Sequence, residues 1–256
     1  MPPQPPCAVT FDLWLTLMFE ESTGRGELRV CEGVKALSDA GITVEPQTLT
    51  DAIRAVGRKT SADHDRGFDR PFKERMEQIL AAAAPTTRSS LNPAQFEAFS
   101  RAIDEPFLVH SPSIYPQAQR VLQTITDMGV HTALISNVGS TSPNVYKRFL
   151  EREGIGQYLE VLTFSNEIAS AKPGSKMFTN TLERLGVAPE NALHVGDNLH
   201  ADIGGAKDVG MSAVWISGYD NREPRVQPDF TISGLAELPA VVDSWLDGQP
   251  LYRSFR

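Results

Sequence analysis

The chain has 256 residues, 41% of them hydrophobic and 22% charged, which is ordinary globular usage and supports a sizeable core in one domain, or one domain carrying an insertion. With 24 Lys and Arg against 32 Asp and Glu the net charge is -8. That balance speaks against a nucleic-acid partner, since such binding draws on basic patches that neutralise phosphates. It leaves room for a small anionic substrate held by a local cluster of cations.

Residues 1–6 are proline-rich and lack the basic and apolar regions of a secretory leader, so they are expected to form a flexible N-terminal tail. No apolar run reaches the length of a spanning helix, and no membrane partner is expected. Cys7 and Cys31 have no metal-ligand spacing, so a reduced, cytoplasmic protein is the natural expectation. The sequence gives no sign of oligomeric state.

In chain order, Cys7 to Leu13 is short, apolar and rich in β-formers, as suits a buried parallel strand. From Arg29 to about His110 the pattern changes to successive amphipathic helices. Leu49, Ala52, Ile53 and Val56 follow helical spacing, and so do Phe72, Met76, Ile79 and Leu80. Asn92, Pro93 and Gln95 read as an N-cap, a proline at the first helical position and a capping-box partner. No strand is expected in this stretch.

The α/β rhythm resumes after Ser111–Pro116. A helix carrying Ala118, Val121, Leu122 and Ile125 leads to a strand at His131–Ser136. Further units are a strand at Tyr158–Phe164, a helix through Phe178 and Leu182, a strand at Asn191–Val195, a helix from Asp202 and a strand at Ser212–Ile216. Pro228–Ile232 and Leu235–Leu246 read as a last strand and helix. Such alternation implies an α/β fold, a doubly wound parallel sheet with right-handed crossovers, here with an inserted all-α segment. Ligands in such sheets bind outside the carboxyl ends of the strands. Asp12, Ser136 and the Gly196-Asp197 pair each stand just past such an end.

At neutral pH Asp12 would be ionised, and a carboxylate can serve as a covalent nucleophile. To attack an anionic phosphate it needs positive charge nearby, which Mg²⁺ held by carboxylates, carbonyls and water would supply. Asp197 and Asp202 are placed to provide or hold further oxygen ligands, and Lys172 offers a fixed cation. Ser136 and Asn137 can donate hydrogen bonds to substrate oxygens. Taken singly, each has a blander reading: a turn residue, an N-cap at Asp202, a solvated lysine. Arg54, Arg58, Lys59, Arg66, Arg70 and Lys73, with His64 and Asp65 among them, could clamp an anionic group but read more readily as a solvated helical face. The histidines show no ligand-like pattern, with His194 inside a buried strand, His131 at a strand start and His200 near Asp202.

The segments FDLWLTL, LISN, KPGSKMF and GDNLHAD, in this order and spacing, resemble the four motifs of the haloacid dehalogenase-like (HAD) hydrolase superfamily. Flanking stretches are similar too, so the resemblance covers about the whole chain, with the helical insertion in the place of a C1-type cap. It implies a Rossmann-like core domain of residues 7–19 and 112–247 and a helical cap domain of residues 20–111. By position it implies Asp12 as nucleophile, and Thr16 and Ser136 holding it or the phosphoryl oxygens. Lys172 would stabilise charge and Asp197 would bind Mg²⁺. Asp12 and the Trp14 carbonyl would be further metal ligands.

The first motif departs from the phosphatase pattern Asp-x-Asp-Gly-Thr. Trp14 occupies the leaving-group position, where the second Asp protonates the departing oxygen; an indole cannot do this. Leu15 replaces the usual Gly. A Mg²⁺-dependent phosphatase of a small phosphorylated metabolite, acting through an aspartyl-phosphate on Asp12, is the favoured expectation. One alternative is a 2-haloacid dehalogenase, whose halide leaves without protonation and which needs no Mg²⁺; the Gly196-Asp197 pair weighs against it. The other is an attenuated scaffold acting as a binding protein.

Overall fold

A computed structural model describes residues 6–21, 23–85 and 91–248; residues 1–5 of the expected tail lie outside this range. Six parallel strands form the central sheet: β1 (Ala8–Phe11), β4 (His131–Ser136), β5 (Val161–Phe164), β6 (Ala192–Gly196), β7 (Ser212–Ile216) and β8 (Phe230–Ile232), in spatial order β5-β4-β1-β6-β7-β8. The chain builds outward from β1 through β4 to β5, then returns to β1's other side with β6. The strand order therefore reverses beside β1, where an open α/β sheet leaves its ligand crevice. Asp12 is the first residue past that strand.

The two faces of the sheet follow the period of two. Val9, Phe11, Leu134, Val195 and Val214 join the larger core with helices α6 (Ala118–Asp127), α7 (Pro143–Arg152) and α11 (Leu238–Gly248). Ala8, Ile135, Ala192 and Ala213 face the other core, with helices α9 (Ser175–Leu185) and α10 (Gly205–Asp208). Thr10 and His194 share this second face and are register partners on neighbouring strands. A one-turn helix, α8 (Ser165–Ile168), follows β5.

Between β1 and β4 the chain leaves the sheet through a ribbon of β2 (Met18–Phe19) and β3 (Ser113–Ile114), paired antiparallel. Two-residue strands carry no legible periodicity, and sequence reasoning missed them. The excursion they bracket consists of α1 (Arg25–Asp39), α2 (Pro46–His64), α3 (Phe72–Ala83), α4 (Pro93–Asp104) and α5 (Pro106–Val109). Its own apolar cluster includes Leu37, Leu49, Met76, Ile79, Phe99 and Ile103. The expected capping box opens α4: Asn92 Oδ1 accepts from Gln95 N at 3.0 Å and Gln95 Oε1 from Asn92 N at 2.9 Å.

Two contacts seat these helices on the sheet's carboxyl end. Arg75, buried on α3, donates to the carbonyl of Val138 (2.9 Å), to that of Gly139 and to Asp69. Nearby, Ala171 N donates to Gly67 O at 3.1 Å, so the loop after α2 rests on the loop that carries Lys172.

Elsewhere the boundaries shift. Tyr158 lies in a 3-10 turn, Gly156–Tyr158, before β5 begins at Val161. The helix expected from Asp202 starts as a wide π-type turn, Leu199–Gly204, before α10. Among the described residues no helix is long and apolar enough to cross a membrane.

Candidate active site

Asp12 is fixed by its own strand, since its N–H donates to Val195 O (2.9 Å) on neighbouring β6. The following residues turn tightly, with Leu15 N on Met18 O at 2.7 Å and Leu17 N on Leu13 O at 2.9 Å. The turn places Leu15 at φ 57°, the left-handed region where a Cβ is disfavoured. The resemblance expects glycine here, and the structure keeps the glycine-like backbone despite the leucine.

Lys172 joins the segments. Its Nζ lies 2.6 Å from Asp12 Oδ1 and 2.6 Å from Asp202 Oδ1, and the ammonium is buried. Carboxylate atoms of Asp12, Asp197 and Asp202 all lie within 4.8 Å of one another. Two residues past the end of β6, Asn198 begins the π-type turn and donates its N–H to Asp202 Oδ2 at 3.0 Å. A wide turn of this kind often marks a functional position. Gly196 is required beneath it: a Cβ there would meet Asp202 Cγ at 2.3 Å.

Below this layer, His194 Nε2 stands 3.2 Å from Asp202 Oδ1 and its Nδ1 2.8 Å from Thr10 Oγ1. His194 therefore has a partner in the site, although the sequence showed no ligand-like pattern for it. The signal available in the sequence was a polar pair, Thr10 and His194, inside two otherwise apolar strands. His131 pairs with Glu160 at 2.8 Å, and His200 Nε2 stands 3.2 Å from Asp65 O.

The electrostatics are unequal. Burial, then repulsion from Asp12 and Asp202, pushes the Asp197 carboxyl up to about 8. Burial raises Asp12 to about 6 although Lys172 opposes the shift. For Asp202 burial is outweighed by Lys172 and His194, which hold it well below the usual carboxylate range. Burial alone would lower Lys172, but Asp12 and Asp202 raise it above the usual lysine value. One ammonium thus faces three carboxylates, and Asp197 is the one left without a cation.

Asn137, one residue past β4, ties the Lys172 loop down by accepting from Lys172 N at 2.7 Å and donating to Lys172 O at 2.9 Å. Ser136 is fully buried at the end of β4, with only a long 3.4 Å contact to Asn137 O. Thr16 is also fully buried, and its Oγ1 has no partner among the described residues. Trp14 sets its indole between α7 and the helical insertion: Nε1 donates to Tyr146 OH on α7 at 3.3 Å, and the ring packs edge-on to Phe107 of α5 with centroids 6.4 Å apart. Of the cationic residues on α2 and after it, Arg66 and Arg70 are spent on Asp63, while Arg54, Arg58, Lys59 and Lys73 are exposed.

The profile of haloacid dehalogenase-like hydrolases matches residues 8–210. The chain is 30% identical to ribulose-1,5-bisphosphate 5-phosphatase of Halopiger xanaduensis over 92% of its own length and 98% of that protein's. It is 30% identical to glyceraldehyde 3-phosphate phosphatase of Methanopyrus kandleri over 92% and 96%. It also matches phosphoserine phosphatase of Thermus thermophilus at 30% identity, over 66% of the chain and 63% of that protein's length. Among solved structures, a 2-haloacid dehalogenase from Pseudomonas syringae superposes with a TM-score of 0.68 at 21% identity, covering 94% and 99% of the two chains. A HAD phosphatase from Thermococcus onnurineus superposes at 0.61 and 24%, covering 92% and 97%. At these identities the superpositions establish the fold. The profile match and the full-length relatives establish the family: the chain belongs to the haloacid dehalogenase-like hydrolases and is a hydrolase with a Rossmann-like α/β core.

Proposed function

We propose that this hydrolase is a Mg²⁺-dependent phosphatase of a small phosphorylated metabolite, acting through an aspartyl-phosphate on Asp12. The observation that carries the reading is the surplus of negative charge, three carboxylates within 4.8 Å against one ammonium. Such a surplus is relieved either by a proton, as the raised Asp197 shows, or by a dication that also draws in a phosphate, and an all-oxygen donor set suits Mg²⁺. The phosphatase names of the three relatives compared by sequence point the same way.

The residues fit the ion unequally. Asp12 and Asp197, with the Trp14 carbonyl, would hold it. Asp202 already accepts from Lys172, His194 and Asn198 N, so its main work would be to hold Lys172. When bound, the ion supplies charge that draws the phosphoryl group toward Asp12.

In this reading residues 7–19 and 112–247 are the core domain and residues 20–111 the cap domain. An Asp12 carboxylate oxygen attacks phosphorus, and the P–O bond to the leaving group breaks as the new bond forms. Lys172, Ser136 and Asn137 steady the phosphoryl oxygens and the loops around them, and the unpartnered Thr16 hydroxyl is free to donate to one. Water then cleaves the aspartyl-phosphate, releasing inorganic phosphate and restoring the carboxylate. Trp14 can neither protonate the leaving oxygen nor activate that water. The proton must come from solvent or substrate, at a cost of about 10²–10⁴ in rate.

That same indole favours a second reading, a 2-haloacid dehalogenase, since a halide needs no proton. Assaying phosphoesters and 2-haloacids side by side, with Mg²⁺ and with EDTA, separates them. Mg²⁺-dependent phosphate release abolished by Asp12→Asn is expected. Metal-independent halide release would establish the dehalogenase instead. Silence toward both classes, unchanged by Asp12→Asn, would mark an attenuated binding scaffold.

A further inference from the structure

Near the site one half-buried arginine has no carboxylate within ion-pair distance among the described residues. Arg29, on the second turn of α1, donates from Nη2 to Thr141 Oγ1 at 2.7 Å, while its Nε is buried with no acceptor among the described residues. Burial, with Arg25 beside it, lowers its basicity from the usual arginine value. A buried donor left unsatisfied is costly, and more so when charged. The neighbouring acids are otherwise engaged: Glu20 pairs with Arg25 at 2.8 Å, and buried Asp104 accepts from Ser142 N at 2.8 Å.

The position is as telling as the missing partner. Thr141 belongs to the loop that leaves β4 through Ser136 and Asn137. Arg25, one turn before Arg29, has its guanidinium carbon 5.9 Å from the ring centroid of Trp14, two residues past Asp12. Arg29 thus hangs from the helical insertion over the same end of the sheet as the nucleophile. It also lines an open groove of about 700 Å³ between α1 and α2, with Gly26, Val30, Ile53 and Arg54 among its walls, so solvent reaches its side chain.

We propose that Arg29, with the Thr141 hydroxyl, binds a second anionic group of the substrate, a carboxylate or a phosphate distinct from the phosphoryl group that Asp12 attacks. A guanidinium presents parallel N–H donors matched to either anion. The anion supplies the acceptor that Nε lacks and fixes the leaving group's orientation beside Trp14. The inference rests on the phosphatase reading and narrows its substrates to molecules with two separate anionic groups.

The test compares kcat/KM for 2-phosphoglycolate, ribulose 1,5-bisphosphate and methyl phosphate, which carry respectively a carboxylate, a second phosphate and neither. The unsubstituted protein is expected to prefer one of the first two over methyl phosphate, and which one identifies the anion. Arg29→Gln should reduce that preference by about 10- to 100-fold, the range of a charge-assisted hydrogen bond, and Arg29→Lys should restore part of it. An unchanged preference, or equal losses on all three esters, overturns the proposal. Calorimetric titration of the Asp12→Asn protein with 2-phosphoglycolate, ribulose 1,5-bisphosphate and methyl phosphate reads the subsite without turnover, so failure of the phosphatase reading stays distinguishable. Binding of a two-anion ester at least about tenfold tighter than methyl phosphate, lost when Arg29→Gln is added, upholds it. Equal binding of all three, or none, overturns it.

Discussion

The Asn137 side chain holds the Lys172 backbone by two hydrogen bonds, Lys172 N to Asn137 Oδ1 at 2.7 Å and Asn137 Nδ2 to Lys172 O at 2.9 Å. One side chain thereby sets where the loop after α8 places its ammonium relative to Asp12. Replacing Asn137 with Ala removes both bonds and leaves a partly buried N–H and C=O to find water. We expect a stability loss of about 1–3 kcal/mol and a larger fractional fall in kcat than rise in KM. Chemical denaturation and steady-state kinetics measure the two.

The carboxylate cluster makes stability depend on pH in a direction opposite to that of most salt-bridged acids. Asp12 and Asp197 are raised by burial, to about 6 and about 8, so the folded state binds their protons more tightly than the unfolded chain does. Their contribution is fully present below the ordinary carboxylate range and is lost as pH rises through 6 and then 8. Asp202 has the reverse sign: its pKa is depressed, so its contribution is present at neutral pH and lost only in strong acid. Without divalent metal the melting temperature should therefore fall between about pH 4 and pH 8 through the first two groups. Added Mg²⁺ competes with those protons and should raise it most at the alkaline end. Thermal melts across pH with Mg²⁺ and with EDTA provide the check; a Mg²⁺ effect that does not grow with pH would contradict it.

Thr16 separates stability from activity. Its hydroxyl is buried and unpartnered, so the near-isosteric Thr16→Val removes an unsatisfied polar group. The ligand-free protein should be as stable or up to about 1 kcal/mol more stable. Phosphate release should nevertheless fall by about tenfold or more if the hydroxyl serves a phosphoryl oxygen. A drop in both would assign Thr16 to the fold alone.

Trp14 separates packing from chemistry in the other direction. Trp14→Asp gives up the contact with Phe107 and the bond to Tyr146, a loss of about 2–4 kcal/mol in line with large-to-small substitutions. It restores a group able to carry a proton. If proton transfer limits turnover, kcat on phosphoesters with poor leaving groups should rise and the dependence on leaving-group basicity should flatten. No gain would show that the proton already arrives by another route.

Much of the site was legible because it depends on strand ends. Apolar runs finishing at Asp12, Ser136 and Gly196-Asp197 fix where three segments stop, and parallel crossovers bring those stops to one edge. The capping box before α4 was equally legible, being a local exchange of hydrogen bonds within four residues. Other features depend on how distant segments meet. Thr10 and His194 stand 184 positions apart, and only the register of β1 against β6 makes them neighbours beneath Asp202. Arg75 reads as one more helical cation until α3 is laid on the loop after β4 and burial commits it to the carbonyls there. Leu15 stands where the resemblance expects glycine, yet the hydrogen bonds across Leu13–Met18 hold it at φ 57°. The sequence by itself determined the fold class and the carboxylates at its centre, through patterns repeating every two or four residues. Tertiary structure decided which carboxylate is left without a cation and which arginine without an anion, because burial and pairing belong to surfaces in contact and not to positions along the chain.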